Sequence, residues 1–191
     1  MSKLIFRFNN QNLPASTSSK DILGGKGTNL AQMAKLGLPV PPGFTISTEV
    51  CEYFYKNNKK ITKQVIKQTQ KELKIIEKIT KKNFGDVFNP LLISVRSGSR
   101  VSMPGMMDTI LNLGLNDKTV VGLKKKTQNG RFAKDSYRRF IQMYSDIVLG
   151  VPHEDFEELL EAEKLSNSLI LDTELKTENM KSFVVQYHYY T

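Results

Sequence analysis

Residues 94–117 read SVRSGSRVSMPGMMDTILNLGLND and decide more about the fold than any other stretch. Residues 91–95, which lead into this stretch, are largely apolar and predict a buried strand. A turn rich in Gly and Ser follows and carries Arg96 and Arg100. Arginine stays protonated and presents a planar fork of donors, so two arginines on such a turn suit a polyphosphate. The residue types fit a surface turn with solvated arginines equally well, so both interpretations stay open.

A second segment, residues 23–44, reads LGGKGTNLAQMAKLGLPVPPGF and places Lys26 between two glycines. The pattern predicts a helix over residues 26–36 that stops at Gly37. The residues predicted to be buried on this helix are Leu30, Met33 and Ala34. Amides at a helix start beside an ammonium group attract anions. The segment is not a Walker A loop, because Gly27 separates the lysine from Thr28, and a lone GGKG is also typical of an ordinary turn.

Apolar periodicity and breaker residues indicate a mixed α/β first part followed by a helical part. We predict strands at 4–8, 44–47, 91–95 and 109–113, a polar loop at 9–19, and helices at 26–36, 49–56, 61–82, 118–126, 130–149 and 153–165. Along the helix predicted at 61–82, the expected apolar side comprises Val65, Ile66, Leu73 and Ile76. Gly150 and Pro152 are expected to separate the last two helices.

Three ordered stretches, residues 23–44, 94–117 and 129–144, together resemble the N-terminal part of the pyruvate, phosphate dikinase family. The third reads NGRFAKDSYRRFIQMY, and the resemblance runs from near residue 20 to about residue 180. Residues 101–117 are more similar to the dikinases than to the related phosphoenolpyruvate synthases. The resemblance implies a fold of class α/β (α+β), with a partial ATP-grasp-like domain over residues 1–116 and a small helical domain over residues 117–191.

The resemblance also implies a ligand, ATP, and residues that contact it. Lys26 and Arg96 match the family's phosphate-contacting lysine and arginine. The loop that covers the nucleotide phosphates is matched by residues that include Arg100, Ser102, Met103, Gly105 and Met107. Arg138 or Arg139 is a further candidate. The methionines fit either a flexible lid over ATP or adaptable packing between lobes.

In the family, the magnesium ligands, the phosphohistidine domain and the pyruvate-binding barrel lie beyond the residues matched here. The resemblance therefore implies Mg²⁺ but predicts no metal ligand and no complete catalytic set in this chain. His153, expected in a loop after Pro152, and His188, expected in an aromatic tail, are not predicted to replace the missing histidine. Two hypotheses remain: the chain pairs with a second polypeptide that carries the remaining domains, or it is a non-catalytic remnant of a split or decaying gene.

Composition indicates a globular protein outside the secretory route. The single cysteine, Cys51, excludes an internal disulfide, fits a reducing compartment and is expected to be a packed helix residue. The first ten residues lack a signal-peptide pattern, and no apolar run approaches the length of a membrane span. We therefore expect a cytoplasmic protein without a membrane partner.

The formal net charge of +9 makes nucleic acid the competing partner, since lysines crowd residues 56–82. The lysines that recur at helical spacing there are Lys63, Lys67, Lys71, Lys74 and Lys78. Residues 61–82 contain no aromatic residue and no base-reading motif, so a solvated helix face is the favoured interpretation.

Overall fold

A computed structural model of the chain describes residues 3–9, 16–98 and 109–179. The strands are β1 (Ile5–Arg7), β2 (Phe44–Ile46), β3 (Ile93–Arg96) and β4 (Thr109–Leu113). The helices are α1 (Ser16–Lys35), α2 (Thr48–Lys56), α3 (Lys63–Thr80), α4 (Thr119–Thr127), α5 (Gly130–Tyr144) and α6 (His153–Ser166). A π-helical turn, Ser145–Leu149, continues α5, and a 3₁₀ turn spans Asp172–Glu174. The predicted mixture of helices with small strands is confirmed.

The chain divides into two compact units. The described residues of unit 1 are 3–9, 16–81 and 97–98, and those of unit 2 are 82–96 and 109–179. Unit 2 thus contains the pair β3–β4 together with helices α4 to α6. The division predicted at residue 116 stays a prediction.

Unit 1 is built on the antiparallel pair β1–β2, in which Ile5 is opposite Ile46. Helix α3 is attached to β1 by polar contacts: Leu4 N donates to Gln68 Oε1 at 3.0 Å, and Arg7 Nε lies 2.6 Å from Glu72 Oε2. Within the described ranges, the core cluster of unit 1 consists of Phe6, Leu23 and Ala31. This core is small, so the short strands depend on α1 and α3 for burial.

Unit 2 has the larger core. Strands β3 and β4 pair antiparallel, with Arg96 opposite Thr109 and an irregularity between Ile93 and Val95. Helices α4, α5 and α6 and the chain after them surround a cluster made of Leu115, Val120, Leu123, Ala133, Tyr137, Ile141, Phe156, Leu160 and Leu175. Arg131 fixes the chain after α6 by donating to the carbonyl oxygens of Asp172 and Leu175 at 2.7 and 2.9 Å.

Most predicted elements are confirmed within a few residues, but one boundary and the placement of one residue were wrong. The predicted polar loop at 9–19 ends early, because α1 already begins at Ser16. His153 does not lie in a loop, since it is the first residue of α6. The predicted stop at Gly37 is confirmed: its φ of 77° and the bond from Leu38 N to Met33 O at 3.0 Å form the left-handed end of the helix.

Several residues predicted to be buried are exposed. Met33, Ile66 and Val95 expose 41%, 46% and 43% of their surface, and Cys51 is an exposed residue on α2. Periodicity locates the apolar side of a helix but does not show how much of that side is covered. The buried apolar residues of α1 and α3 are Leu23, Ala31, Val65 and Ile76. β3 contributes less to the core than predicted. The buried residue of the predicted strand 91–95 is Leu91, which precedes the observed start of β3 at Ile93.

Within the described ranges, no helix combines the length and the apolar character needed to cross a bilayer. The five lysines predicted to form a solvated face of α3 are all exposed, as that interpretation expects. They are Lys63, Lys67, Lys71, Lys74 and Lys78.

Candidate functional site

The lysine of the GGKG segment lies just after a break in α1. Gly24 has φ 70° and ψ 173°, which is not helical, so the helical path starts again after it. Lys26 therefore lies in the first turn of the resumed helix, as the sequence predicted. Amides in a first turn have no carbonyl of a preceding turn to bond, and the helix dipole makes this end positive. This local geometry favours an anion near Lys26.

The two glycines that flank Lys26 have different roles. A Cβ atom at Gly27 would lie 2.7 Å from Thr45 Oγ1 and 3.2 Å from Leu23 Cβ, so this glycine lets α1 pack closely on β2. A Cβ atom at Gly25 would meet nothing within 4 Å. Gly27 thus sets how closely the helix packs on β2, while the space beside Gly25 is unoccupied by described atoms.

The ammonium group of Lys26 is held by the backbone of the arginine turn. Its Nζ atom donates to the carbonyl oxygen of Ser97 at 2.9 Å, in an exposed position within unit 1. Ser97 directly follows Arg96, whose side chain is exposed at the end of β3. An ammonium group has three donors, and this bond uses one of them. The other predicted contacts, Arg100, Ser102, Met103, Gly105 and Met107, lie outside the described residues.

The two arginines of α5 are used differently. Arg138 is only 2% exposed, and its guanidinium donates to Asp135 Oδ1 at 2.9 Å and to Gln142 Oε1 at 3.0 Å. Gln142 Nε2 in turn donates to Glu157 Oε1 at 2.8 Å, which connects α5 to α6. The donors of Arg138 are therefore committed to an internal network. Arg139, which also pairs with Asp135, keeps a half-exposed side chain and is the better placed of the two for a ligand.

The same network controls the ionisation of Asp135. Burial by itself would raise the pKa of this carboxyl group, but Arg138 and, less strongly, Arg139 hold its pKa below the ordinary value. Asp135 is therefore ionised at neutral pH and forms a structural ion pair.

His153 has neighbours that sequence reasoning did not find. Its Nδ1 atom lies 3.5 Å from Asp146 Oδ2, and its Nε2 atom lies 3.5 Å from Glu157 Oε1. The two nitrogens thus face different carboxylates and do not converge on one point. Across the described parts of the chain, no group of three or more His, Cys, Asp or Glu residues has the arrangement of a metal site. His188 lies outside the described residues.

Sequence reasoning also missed a buried hydroxyl close to the GGKG segment. Thr28 Oγ1 is buried and has no hydrogen-bond partner in the described parts of the chain. A helical threonine usually donates to the carbonyl four residues earlier, which here belongs to Gly24 and is turned away by its non-helical conformation. In the sequence, the adjacent glycines Gly24 and Gly25 were the feature that could have indicated this break in α1. An unmade bond of this kind costs about 1–3 kcal/mol.

Residues 20–83, which contain the GGKG segment, match the family model described as pyruvate phosphate dikinase, AMP/ATP-binding domain. This match assigns the segment to a class of nucleotide-binding domains. The chain is 49% identical over 187 residues to the pyruvate, phosphate dikinase of Clostridium symbiosum, which covers 98% of this chain and 21% of that protein. It is 52% identical over 164 residues to the enzyme of Entamoeba histolytica, covering 86% of this chain and 18% of that protein.

The chloroplastic pyruvate, phosphate dikinase of Flaveria pringlei is 48% identical over 185 residues, 97% of this chain and 19% of that protein. Identity of about one half over nearly the whole chain is far above what unrelated sequences share. Over nearly its whole length, the chain is therefore similar to pyruvate, phosphate dikinases. It spans about one fifth of the length of the curated relatives that it matches.

Proposed function

We propose that this chain binds the phosphates of ATP and forms the first part of an ATP-grasp nucleotide site. The observation that carries the proposal is the bond from Lys26 Nζ to the carbonyl oxygen of Ser97, which brings an ammonium group to the arginine turn. To the residues that the structure describes, the ammonium group makes this one bond, so its two further donors can turn toward a phosphate. Phosphoryl transfer depends mainly on positioning and on neutralising charge, and cations beside flexible glycine-rich backbone provide both.

In this proposal, Lys26 and Arg96 contact the phosphates, and the loop with Arg100, Ser102, Met103, Gly105 and Met107 covers them. Arg139 is the candidate for a further contact, since Arg138 is committed to Asp135 and Gln142. The ATP would be bound with Mg²⁺ whose ligands belong to the family's regions outside the matched fifth.

The complete reaction would need those other regions. It converts ATP, phosphate and pyruvate to AMP, diphosphate and phosphoenolpyruvate through a phosphohistidine. We propose that this chain contributes nucleotide binding, while the remaining steps depend on dikinase regions in the same or a second polypeptide. A cytoplasmic location stays a prediction.

Calorimetry with ATP and Mg²⁺ tests the proposal on the parent chain and on the double variant Lys26→Ala, Arg96→Ala. The matched control is Lys67→Ala, Lys71→Ala, which removes the same charge from exposed positions of α3. We expect weak binding that the first variant loses and the control keeps within twofold. Equal losses in both variants would point to nonspecific attraction by the net charge.

A parent chain that folds but binds no ATP would contradict the proposal and favour the alternative, a non-catalytic remnant. Nucleic acid is tested in parallel, because binding through the α3 lysines would fall steeply with salt and be lost in the control variant. Absence of oligonucleotide binding at low salt would exclude that alternative.

A further inference from the structure

Positive charge is concentrated in unit 1. Its described residues include 14 Lys or Arg and 5 Asp or Glu, whereas those of unit 2 include 12 and 13. Unit 1 therefore has a large excess of positive charge, and unit 2 is close to neutral. Solubility is served by mixed charges of both signs, whereas a field of one sign attracts a partner of the opposite sign. The charge distribution thus indicates an anionic partner for unit 1.

The exposed lysines of α3 form one row, here called the lysine stripe. At 3.6 residues per turn they fall within an arc of about 80°, and at 1.5 Å per residue the row is about 22 Å long. Among the described residues, no carboxylate forms an ion pair with any of the five. Their charges are therefore available to a partner. The members of the stripe are Lys63, Lys67, Lys71, Lys74 and Lys78.

The packing of α3 in unit 1 turns the lysine stripe outward. Val65 and Ile76 are the buried apolar residues of this helix, and Glu72 Oε2 lies 2.6 Å from Arg7 Nε of β1. At 100° per residue, these three residues of α3 are centred about 160° from the middle of the stripe. Glu72 is thus neutralised by Arg7 on the far side of the helix. The stripe consequently keeps its full positive charge at the surface.

Exposed aromatic rings precede the lysine stripe. Tyr53 and Tyr55 on α2 expose 44% and 69% of their surfaces, and the Tyr55 ring lies edge-on to Phe54 with 5.5 Å between the centroids. Lys59 N donates to Phe54 O at 2.9 Å, which fixes the connection toward α3 to the last turn of α2. Nucleic-acid bases stack on exposed aromatic rings next to cationic surfaces. Sequence reasoning considered residues 61–82 alone and therefore missed these rings.

We propose that unit 1 binds single-stranded nucleic acid, with phosphates on the lysine stripe and a base stacked on Tyr55. Bases in a duplex are already stacked on each other, so unpaired bases are the ones that reach a protein ring. An anionic membrane fits less well, because the exposed apolar residues of α3, Ile66 and Ile79, lie about 140° apart and form no common apolar face. This binding surface goes beyond the nucleotide proposal and uses none of its residues.

Fluorescence anisotropy with a labelled oligouridylate of about 20 nucleotides tests the proposal on the full chain. Each phosphate contact with a single strand contributes about −0.7 to the slope of log K against log salt, so five lysines predict a slope of about −3.5. Affinity should then fall about 100-fold between about 50 and 200 mM salt. An oligothymidylate of the same length should bind similarly, since RNA and DNA share the phosphates and the base faces. A strong preference for either strand would contradict the proposed contacts.

Two sets of variants separate the phosphate contacts from stacking. Lys67→Ala, Lys71→Ala should lose most of the binding and change the slope to about −2. Its matched control, Lys124→Ala, Lys125→Ala, removes the same charge from exposed positions of α4 in unit 2 and should keep the parent slope. Tyr55→Ala should weaken binding about tenfold without changing the slope, because stacking releases no counterions.

Several results would overturn the nucleic-acid proposal: no binding by the parent chain at low salt, equal slopes for the parent and the variant of the stripe, or full affinity in Tyr55→Ala. Inorganic polyphosphate carries charge without bases, and phosphatidylserine vesicles present an anionic membrane. If either competes as effectively as unlabelled oligouridylate, the surface does not recognise nucleic acid and the proposal fails.

The nucleotide site provides an independent comparison. Lys26→Ala, Arg96→Ala should lose ATP and keep the parent slope for oligouridylate, whereas Lys67→Ala, Lys71→Ala should show the reverse. Loss of oligouridylate binding in the first variant would place the strand in the nucleotide site and overturn the proposal. A parent chain that binds oligouridylate but not ATP would refute the nucleotide proposal alone.

Discussion

Replacement of Gly122 by alanine should destabilise the protein, although alanine is the better helix former. Gly122 is a buried residue of α4, and a Cβ atom there would overlap Val87 O and lie 2.8 Å from the carbonyl carbon of Val87. Both atoms belong to the backbone of the turn formed by residues 83–90, so no side-chain rotation relieves the overlap. Either α4 must move away from the turn or the turn must be displaced.

Two opposing effects determine the size of the change. Alanine gains about 1 kcal/mol over glycine in a helix interior. Overpacking against fixed groups costs about 1–3 kcal/mol and occasionally more. Because the obstacle is backbone already held by Asp86 and Lys126, we expect a cost at or above the top of that range. The net loss should be about 2 kcal/mol, which lowers Tm by about 4–8 °C in a chain of this size.

Thermal and urea unfolding, followed by circular dichroism at 222 nm, measure this change. Gly25→Ala is the matched control, since a Cβ atom there meets nothing within 4 Å and the variant should equal or exceed the parent in stability. Hydrogen exchange in α4 shows whether the loss is local. The reasoning is refuted if Gly122→Ala is as stable as the parent, because the close contact would then not restrict the helix.

Three further predictions concern the polar groups of unit 2. In urea unfolding, Arg138→Met should lower the free energy of unfolding by about 3 kcal/mol, near the low end for a broken buried pair because Asp135 keeps its pair with Arg139. Arg139→Met should lower it by under about 1 kcal/mol. Equal effects of the two variants would contradict the assigned roles. The pKa of Asp135 is lowered in the folded protein, so the stability that this carboxylate contributes is present above the unfolded pKa of 3.8 and is lost as pH falls through the folded pKa. Asp135→Asn should therefore flatten the dependence of stability on acid pH. An unchanged pH profile would refute this prediction. Burial, together with Asp117, raises the pKa of Tyr137, so the stability that this phenol contributes is complete below pH 10 and is lost as pH rises further. Tyr137→Phe should reduce this loss of stability at alkaline pH. Identical curves of stability against pH for the parent and the variant would contradict the prediction.

The order of the elements could be predicted from the sequence because breakers and periodicity act locally. Gly37 and the prolines after it end α1, and Gly150 and Pro152 separate the last two helices, as expected. The extent of burial was harder to predict, as Met33, Ile66 and Val95 show. Whether an apolar residue at the edge of a stripe is covered depends on which element packs there, and that is tertiary information.

The candidate site shows the same limit. The position of Lys26 near a helix start follows from the glycines before it, and the structure agrees. Its bond to the carbonyl oxygen of Ser97 joins residues 71 apart in sequence, which no local pattern reports. The commitment of Arg138 to Asp135 and Gln142 is likewise tertiary, although the adjacent arginines look equivalent in the sequence.

The nucleotide proposal places Lys26 in the unit with the smaller core, and this has an energetic consequence. Among the described residues, the core cluster of unit 1 consists of Phe6, Leu23 and Ala31, whereas that of unit 2 has nine members. Thr28 and Ser47 also belong to unit 1, and their buried hydroxyls make no hydrogen bond to any residue that the structure describes, which costs about 1–3 kcal/mol each. A ligand that binds only the folded form of unit 1 stabilises that form by RT ln(1 + [L]/Kd). ATP bound at Lys26 would therefore act on the stability of unit 1 as well as on its chemistry.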